Sequence, residues 1–194
     1  MAVRIARALT ALGLALALAA CVASSNPVGP EGAAVAEKGL IGHWRYAGTQ
    51  DDVWTFVHVL ELENNRLQVV AINELRSEWI VLAGYVTVAG PRRLISLRFV
   101  AGSDEVRAQI EKLGRPDLPY SFVAYRFEGR DRLVVAQPFK PLQVALQEGK
   151  LAGEVSPSGV YVTDESARIA AIFAGASDPE LFARSTVYLR IPEP

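Results

Sequence analysis

The side chains that could carry chemistry are few and widely spaced. The chain has two histidines, His43 and His58, and one cysteine, Cys21. Neither histidine lies in a spacing such as His-Glu-x-x-His, which would place two ligands on one helical face, so we predict no metal site. Glu61 and Glu63 would share one strand face, where paired carboxylates can act as acid and base. Because a tight turn is predicted directly after them, we interpret them as the exposed end of a hairpin.

The sequence carries no signature of the main enzyme and cofactor classes. It contains no Gly-x-Ser-x-Gly elbow, no phosphate-binding P-loop and no Gly-x-Gly-x-x-Gly dinucleotide fingerprint. The formal net charge is −1, and the basic residues form no run, so nucleic acid is not an expected partner. We therefore predict no catalytic residues and no cofactor, and we favour a protein that is not an enzyme.

The most informative stretch surrounds Cys21. Arg4 and Arg7 precede an uncharged run over 8–20 that is rich in leucine and alanine. That run has the length of a signal-peptide core and is too short to span a membrane. The Leu-Ala-Ala-Cys sequence at 18–21 resembles the lipobox of bacterial lipoproteins. The resemblance implies cleavage before Cys21, a diacylglycerol on its thiol and an acyl chain on its new amine.

This resemblance predicts how the chain is organised. Residues 1–20 would be a lipoprotein signal peptide, 21–39 a lipidated Cys21 with a flexible tether, and 40–194 a single globular β-rich domain. The tether is predicted because 22–39 is rich in Ala, Gly, Ser and Pro and has no apolar period. Val22 stands where an aspartate commonly retains Gram-negative lipoproteins at the inner membrane. We therefore expect export and a lipid anchor in the outer membrane, facing the periplasm.

The domain is predicted to be rich in strands. Residues 53–63 alternate with period two and contain aromatic and β-branched side chains, which predicts a strand. Asn64 and Asn65 predict a tight turn into the next strand, because asparagine tolerates positive φ. Further alternating segments follow with short connections, as in an antiparallel meander. Short helices are predicted after Ser103, at Pro141, after Asp164 and after Ser177.

The predicted fold class is therefore α+β. It is mainly an antiparallel β meander of about eight or nine strands, an open or closed barrel with short helices inserted. Gly42-His43-Trp44 opens the first strand of this predicted domain and resembles the Gly-x-Trp entry motif of lipocalins and related calycin barrels. The resemblance implies that Trp44 plugs one end of a barrel and that Arg190, on the last strand, packs over it. The alternative is that Trp44 is an ordinary core residue.

Aromatic strand faces could line a ligand cavity. Our candidate ligand-binding residues are Trp54, Phe56, His58 and Tyr85. His58 would orient a polar head group, or else be an ordinary core or rim histidine. We hypothesise a membrane-anchored lipoprotein, not an enzyme, that binds an apolar or amphipathic small ligand. The alternatives are a structural or assembly lipoprotein that docks onto another envelope protein, and an envelope hydrolase.

Overall fold

The computed structural model describes residues 22–50, 53–111, 119–156 and 159–192. The predicted signal peptide over 1–20 and the predicted lipid attachment at Cys21 lie outside the described residues, and both stay predictions.

Strands dominate the described part of the chain. The strands are β1 (Val22–Ser24), β2 (Gly42–Tyr46), β3 (Phe56–Glu61), β4 (Arg66–Asn73), β5 (Glu78–Ala89), β6 (Arg92–Gly102), β7 (Tyr120–Phe127), β8 (Arg132–Ala136), β9 (Gly153–Ser156), β10 (Gly159–Val162) and β11 (Ser185–Arg190). The helices are α1 (Asp104–Glu111), α2 (Phe139–Gln147), α3 (Ser166–Gly175) and α4 (Asp178–Leu181), and 3₁₀ turns lie at Glu31–Ala33, Lys38–Leu40 and Glu63–Asn65.

Eight of these strands close into an antiparallel barrel. Their order is β2-β3-β4-β5-β6-β7-β8-β11, and β11 pairs with β2 to complete the ring. From β2 to β8, each strand pairs with the next along the chain. Short turns join several of these pairs, as at Asn64 and Asn65, where φ is 58° at both residues. The helices lie in the connections β6–β7 and β8–β11, so they do not interrupt the strand order. The predicted fold class is confirmed, and the barrel is closed.

Two apolar cores lie on opposite faces of the barrel wall. One fills the interior near one end, and its buried members are Leu40, Trp44, Val59, Leu67, Val69, Val86, Ile95, Leu97, Tyr125, Leu133 and Tyr188. The other lies outside the wall, where Leu94 and Phe122 pack against Ile169 and Phe173 of α3. Because successive strand residues point to opposite faces, β6 and β7 are apolar on both sides and contribute to both cores.

Residues 22–40, which we name the N-terminal strap, cross the outer surface of the barrel. Val22 and Val28 are fully buried, and the Val28 N–H donates to the Ser96 hydroxyl at 3.1 Å. The Tyr85 hydroxyl donates to the Gly29 carbonyl at 2.8 Å. The prediction of a flexible tether is therefore wrong for 22–39. Its small residues allow close approach to the wall, and the wall supplies hydrogen-bond partners that composition does not reveal.

The end of the strap closes one end of the barrel around Trp44. The Trp44 side chain is fully buried, and its indole N–H donates to the Leu40 carbonyl at 2.8 Å. The guanidinium of Arg190 lies over the indole, 4.2 Å from the ring centroid. It also donates to the carbonyls of Ile41 at 2.8 Å and Gly39 at 2.5 Å. The expected packing of Arg190 over Trp44 is present.

Candidate functional site

Helix α1 lies over the other end of the barrel. Val106 of α1 is fully buried and belongs to a small cluster with Ala71 and Ile80 of the barrel wall. Trp54 packs against the same cluster from the loop before β3, and its carbonyl accepts a hydrogen bond from the Tyr188 hydroxyl at 3.0 Å. The α1 end is therefore covered on one side by a helix and a loop, whereas the opposite end is filled by Trp44.

Strand β7 carries an inward-facing residue at this end that solvent reaches. Phe122 and Ala124 point outward and are buried in the outer core. Val123, between them, points inward, since it pairs with Ile95 of the interior core. Val123 is nevertheless part-exposed. Because its outward neighbours are covered, we infer that solvent reaches Val123 from the inner side of the wall.

Strand β8 gives the same result independently. Val134 and Ala136 point outward and are buried, whereas the inward-facing Val135 is part-exposed. Val135 pairs with Tyr125 on one side and with Thr186 on the other. The exposed parts of Val123 and Val135 therefore belong to one stretch of the inner wall, near the α1 end.

Other inward-facing residues at this level share the same intermediate burial. They are Val57, Leu82, Phe99, Ser121 and Thr186. None of them carries a charge, and their only polar side-chain groups are the hydroxyls of Ser121 and Thr186. The interior is thus packed around Trp44 and reached by solvent toward α1, where its wall is mainly apolar. A concave apolar wall with a few polar groups is the usual form of a small-molecule site.

The structure brings only one of the four predicted ligand-binding residues to this end. Trp54 packs beside α1, as described above. Phe56 and His58 lie on the outer face of β3, because the alternate residues Val57 and Val59 point inward. Tyr85 lies on the outer face of β5, and burial there raises its pKa to about 12. Phe56, His58 and Tyr85 therefore do not line the interior, and their part in ligand binding stays a prediction.

The sequence pattern could not have separated these faces. Strand β3 is apolar on both sides, with the larger side chain of Phe56 outward and the smaller Val57 and Val59 inward. The inner-wall residues Val123 and Val135 were missed for the same reason. Alternation shows which residues of a strand share a face, but it does not show which face is inside the barrel. That depends on which face the helices cover.

The outer face of β2 and β3 carries the two histidines. His43 and His58 are directly opposed, with 2.8 Å between their Nδ1 atoms and 4.0 Å between their ring centroids. One ring donates and the other accepts in this contact. Partial burial, and secondarily the neighbouring His43, lower the pKa of His58.

The same outer surface carries a row of exposed or part-exposed apolar side chains. Phe56, Ile72 and Trp79 are cross-strand neighbours on β3, β4 and β5. Ile72 is 41% exposed and Trp79 is 39% exposed. Phe56 also lines a shallow groove of about 380 Å³ beside β11. Contiguous exposed apolar surface of this kind can serve as an interaction site.

Glu78 is the buried acidic residue on the inner side of the α1 end. It begins β5 opposite Asn73 and is 7% exposed. Burial is the main cause that raises its pKa, Arg76 opposes the rise, and Glu105 of α1 adds to it. The Glu78 carboxyl therefore loses its proton at a lower pH in the unfolded chain than in the folded protein. As a result, the contribution of Glu78 to stability falls as pH rises above about 4.5.

We expect Glu78→Gln to stabilise the protein more at pH 7 than at pH 4, relative to the parent. Glutamine keeps a similar shape and has no proton to lose, so it removes the penalty that burial imposes on the carboxylate. Thermal unfolding of both proteins at the two pH values measures the difference. Glu63→Gln is the matched control, because Glu63 is exposed, and its effect on Tm should be small at both pH values. An equal change in Tm at both pH values for Glu78→Gln would contradict the inference that burial raises the pKa of Glu78.

The remaining candidates for chemistry stay apart. Glu61 and Glu63 are exposed at the hairpin end of β3, as interpreted from the sequence. Across the described residues, no three or more His, Cys, Asp or Glu side chains form a group that could hold a metal ion. In the same part of the chain, no helix is both long and apolar enough to cross a membrane.

Comparison of the chain with protein-family models, curated proteins and solved structures finds no match.

Proposed function

We propose that this protein is a lipid-anchored lipoprotein of the bacterial envelope that holds an apolar or amphipathic small ligand inside its barrel and catalyses no reaction. One observation carries the ligand proposal. Val123 and Val135 point into the barrel and are reached by solvent, although the outer sides of their strands are covered. Apolar surface left open in this way becomes buried when an apolar molecule enters.

The chemistry of the inner wall favours an uncharged chain or ring system. Valine, leucine and phenylalanine supply most of the wall, and the hydroxyls of Ser121 and Thr186 can orient one polar group. Burial of about 250 Å² of ligand surface would contribute about 6 kcal/mol, at about 25 cal/mol per Å². Part of this gain is lost to the entropy cost of binding.

The anchor proposal rests on the lipobox resemblance at 18–21. In this proposal two or more acyl chains hold the protein stably, because each buried CH₂ contributes about 0.8 kcal/mol. Val22 directly follows the proposed lipid attachment and is buried in β1 between β7 and β10. The lipid would therefore leave the domain at its surface, and the barrel would lie close to the bilayer. The absence of aspartate at Val22 favours the outer membrane.

Filling the inner wall should abolish ligand binding. We expect Val135→Phe to weaken the binding of a long-chain fluorescent fatty acid at least tenfold, because the larger ring occupies the space beside Val123. The measurement is a fluorescence titration of the domain that starts at Val22. Val100→Phe is the matched control, since Val100 is 56% exposed on β6, and it should bind like the parent.

Thermal unfolding checks that both variants are folded, since added volume in a packed core can be destabilising. If folded Val135→Phe binds the fatty acid as tightly as the parent, the ligand is not inside the barrel and the proposal fails.

A further inference from the structure

The two histidines of this chain are placed as a pair on the outer surface of the barrel. His43 on β2 and His58 on β3 are Cα partners across the antiparallel ladder, and side chains at such positions point to the same face. His43 is exposed and His58 is part-exposed, so an ion from solvent can reach both rings. They are the only histidines in the sequence.

The rings approach each other through their metal-binding edges. The Nδ1 atoms are 2.8 Å apart, whereas the ring centroids are 4.0 Å apart, so the Nδ1 atoms are the nearer points of the pair. A neutral imidazole nitrogen is a good ligand for copper, nickel and zinc ions. A metal ion can take the place of the proton that lies between the two nitrogens in the metal-free pair, and the ring that donated it stays neutral by carrying its proton on Nε2.

The distance between the two Nδ1 atoms can be compared with the ligand spacing that each metal prefers. At metal–nitrogen distances of about 2.0–2.1 Å, two ligands at a right angle are about 2.9 Å apart, and two at a tetrahedral angle are about 3.3 Å apart. The 2.8 Å between the Nδ1 atoms is the hydrogen-bond distance of the metal-free pair, and it is close to the spacing of adjacent positions on a square-planar or tetragonal ion. Cu²⁺ prefers that geometry and binds nitrogen ligands most tightly among the divalent first-row metals.

We propose that His43 and His58 form a surface site for Cu²⁺, in which the two imidazoles occupy adjacent positions and water completes the coordination. The site has two protein ligands, which agrees with the lack of any three-ligand group among the described residues. Its neighbours on the same face are Phe56, Leu60 and Val70, which offer no competing ligand. Arg45 is the nearby cation on β2, two residues from His43, and its charge limits the affinity.

Copper titration of the full chain tests this proposal. The protein carries Cys21→Ser to remove the thiol and is purified with a tag that lacks histidine. Electron paramagnetic resonance with electron spin echo detection counts the imidazoles on bound Cu²⁺, and only His43 and His58 can supply them. We expect two imidazoles on each copper ion at one equivalent of Cu²⁺, and tighter binding of Cu²⁺ than of Zn²⁺.

Single substitutions test the pairing. His43→Gln and His58→Gln should each leave one imidazole on copper and weaken binding at least tenfold, because each removes one of the two ligands. Arg45→Gln is the matched control, and it should bind Cu²⁺ at least as tightly as the parent. One imidazole per copper ion in the parent, or unchanged affinity in either histidine variant, would overturn the proposal. The number of imidazoles in the spectrum of the parent protein tests the proposal even if a variant does not fold.

Discussion

Replacing Trp44 with alanine should lower the free energy of unfolding by about 3–5 kcal/mol, the range for removing a large buried aromatic side chain. Trp44 is fully buried at the closed end of the barrel. Its removal leaves a cavity between the strap and the wall and also deletes the hydrogen bond from the indole to the Leu40 carbonyl. The guanidinium of Arg190 would then lie over empty space rather than over an aromatic ring.

Chemical denaturation of the domain, followed by circular dichroism, measures this loss. Trp79→Ala is the matched control, because Trp79 lies on the outer face of β5 and is 39% exposed. We expect its free energy of unfolding to change by about 1 kcal/mol or less, as for most surface substitutions. A loss of about 1 kcal/mol or less in Trp44→Ala would show that the closed end does not depend on Trp44.

Cys21→Ser should remove the proposed lipid anchor. Serine has no thiol for the proposed lipid, and the chain would then either fail to be processed or leave the membrane. Fractionation of cells that express the full chain, with the mass of the membrane-bound form determined, measures the effect. Ser25→Ala is the control and should remain attached, because Ser25 follows the proposed attachment site and carries no lipid in this proposal. Correctly processed Cys21→Ser that stays in the membrane would show that the lipobox interpretation is wrong.

Local patterns in the sequence were sufficient to predict the meander. Alternation over 53–63 and the Asn64-Asn65 turn depend on neighbouring residues, and the structure has β3 and β4 there. Closure of the barrel depends on β11 pairing with β2, where Arg190 is opposite Trp44. That contact joins residues far apart in the chain. The Gly-x-Trp resemblance indicated it, whereas hydrophobic periodicity could not.

The candidate site was predicted less well because strand alternation does not identify the inner face. Phe56 and Val57 are both apolar, and only the closed barrel shows that Val57 points inward. The N-terminal strap was missed for a different reason. Its composition resembles a linker, and Val28 is buried because the outer face of β6 offers Ser96 as a partner. A favourable tertiary contact thus overrides weak local propensity.

Native mass spectrometry of the protein extracted from membranes tests the central claim most directly. If the barrel holds an apolar ligand, the native spectrum shows an added small mass that is lost on denaturation, whereas a covalent lipid would remain. The added mass should persist in Val100→Phe and be absent from folded Val135→Phe. If the parent carries no such mass, or if Val135→Phe retains it, the interior is not the binding site. Docking onto an envelope protein through the row of Phe56, Ile72 and Trp79 would then be the better account.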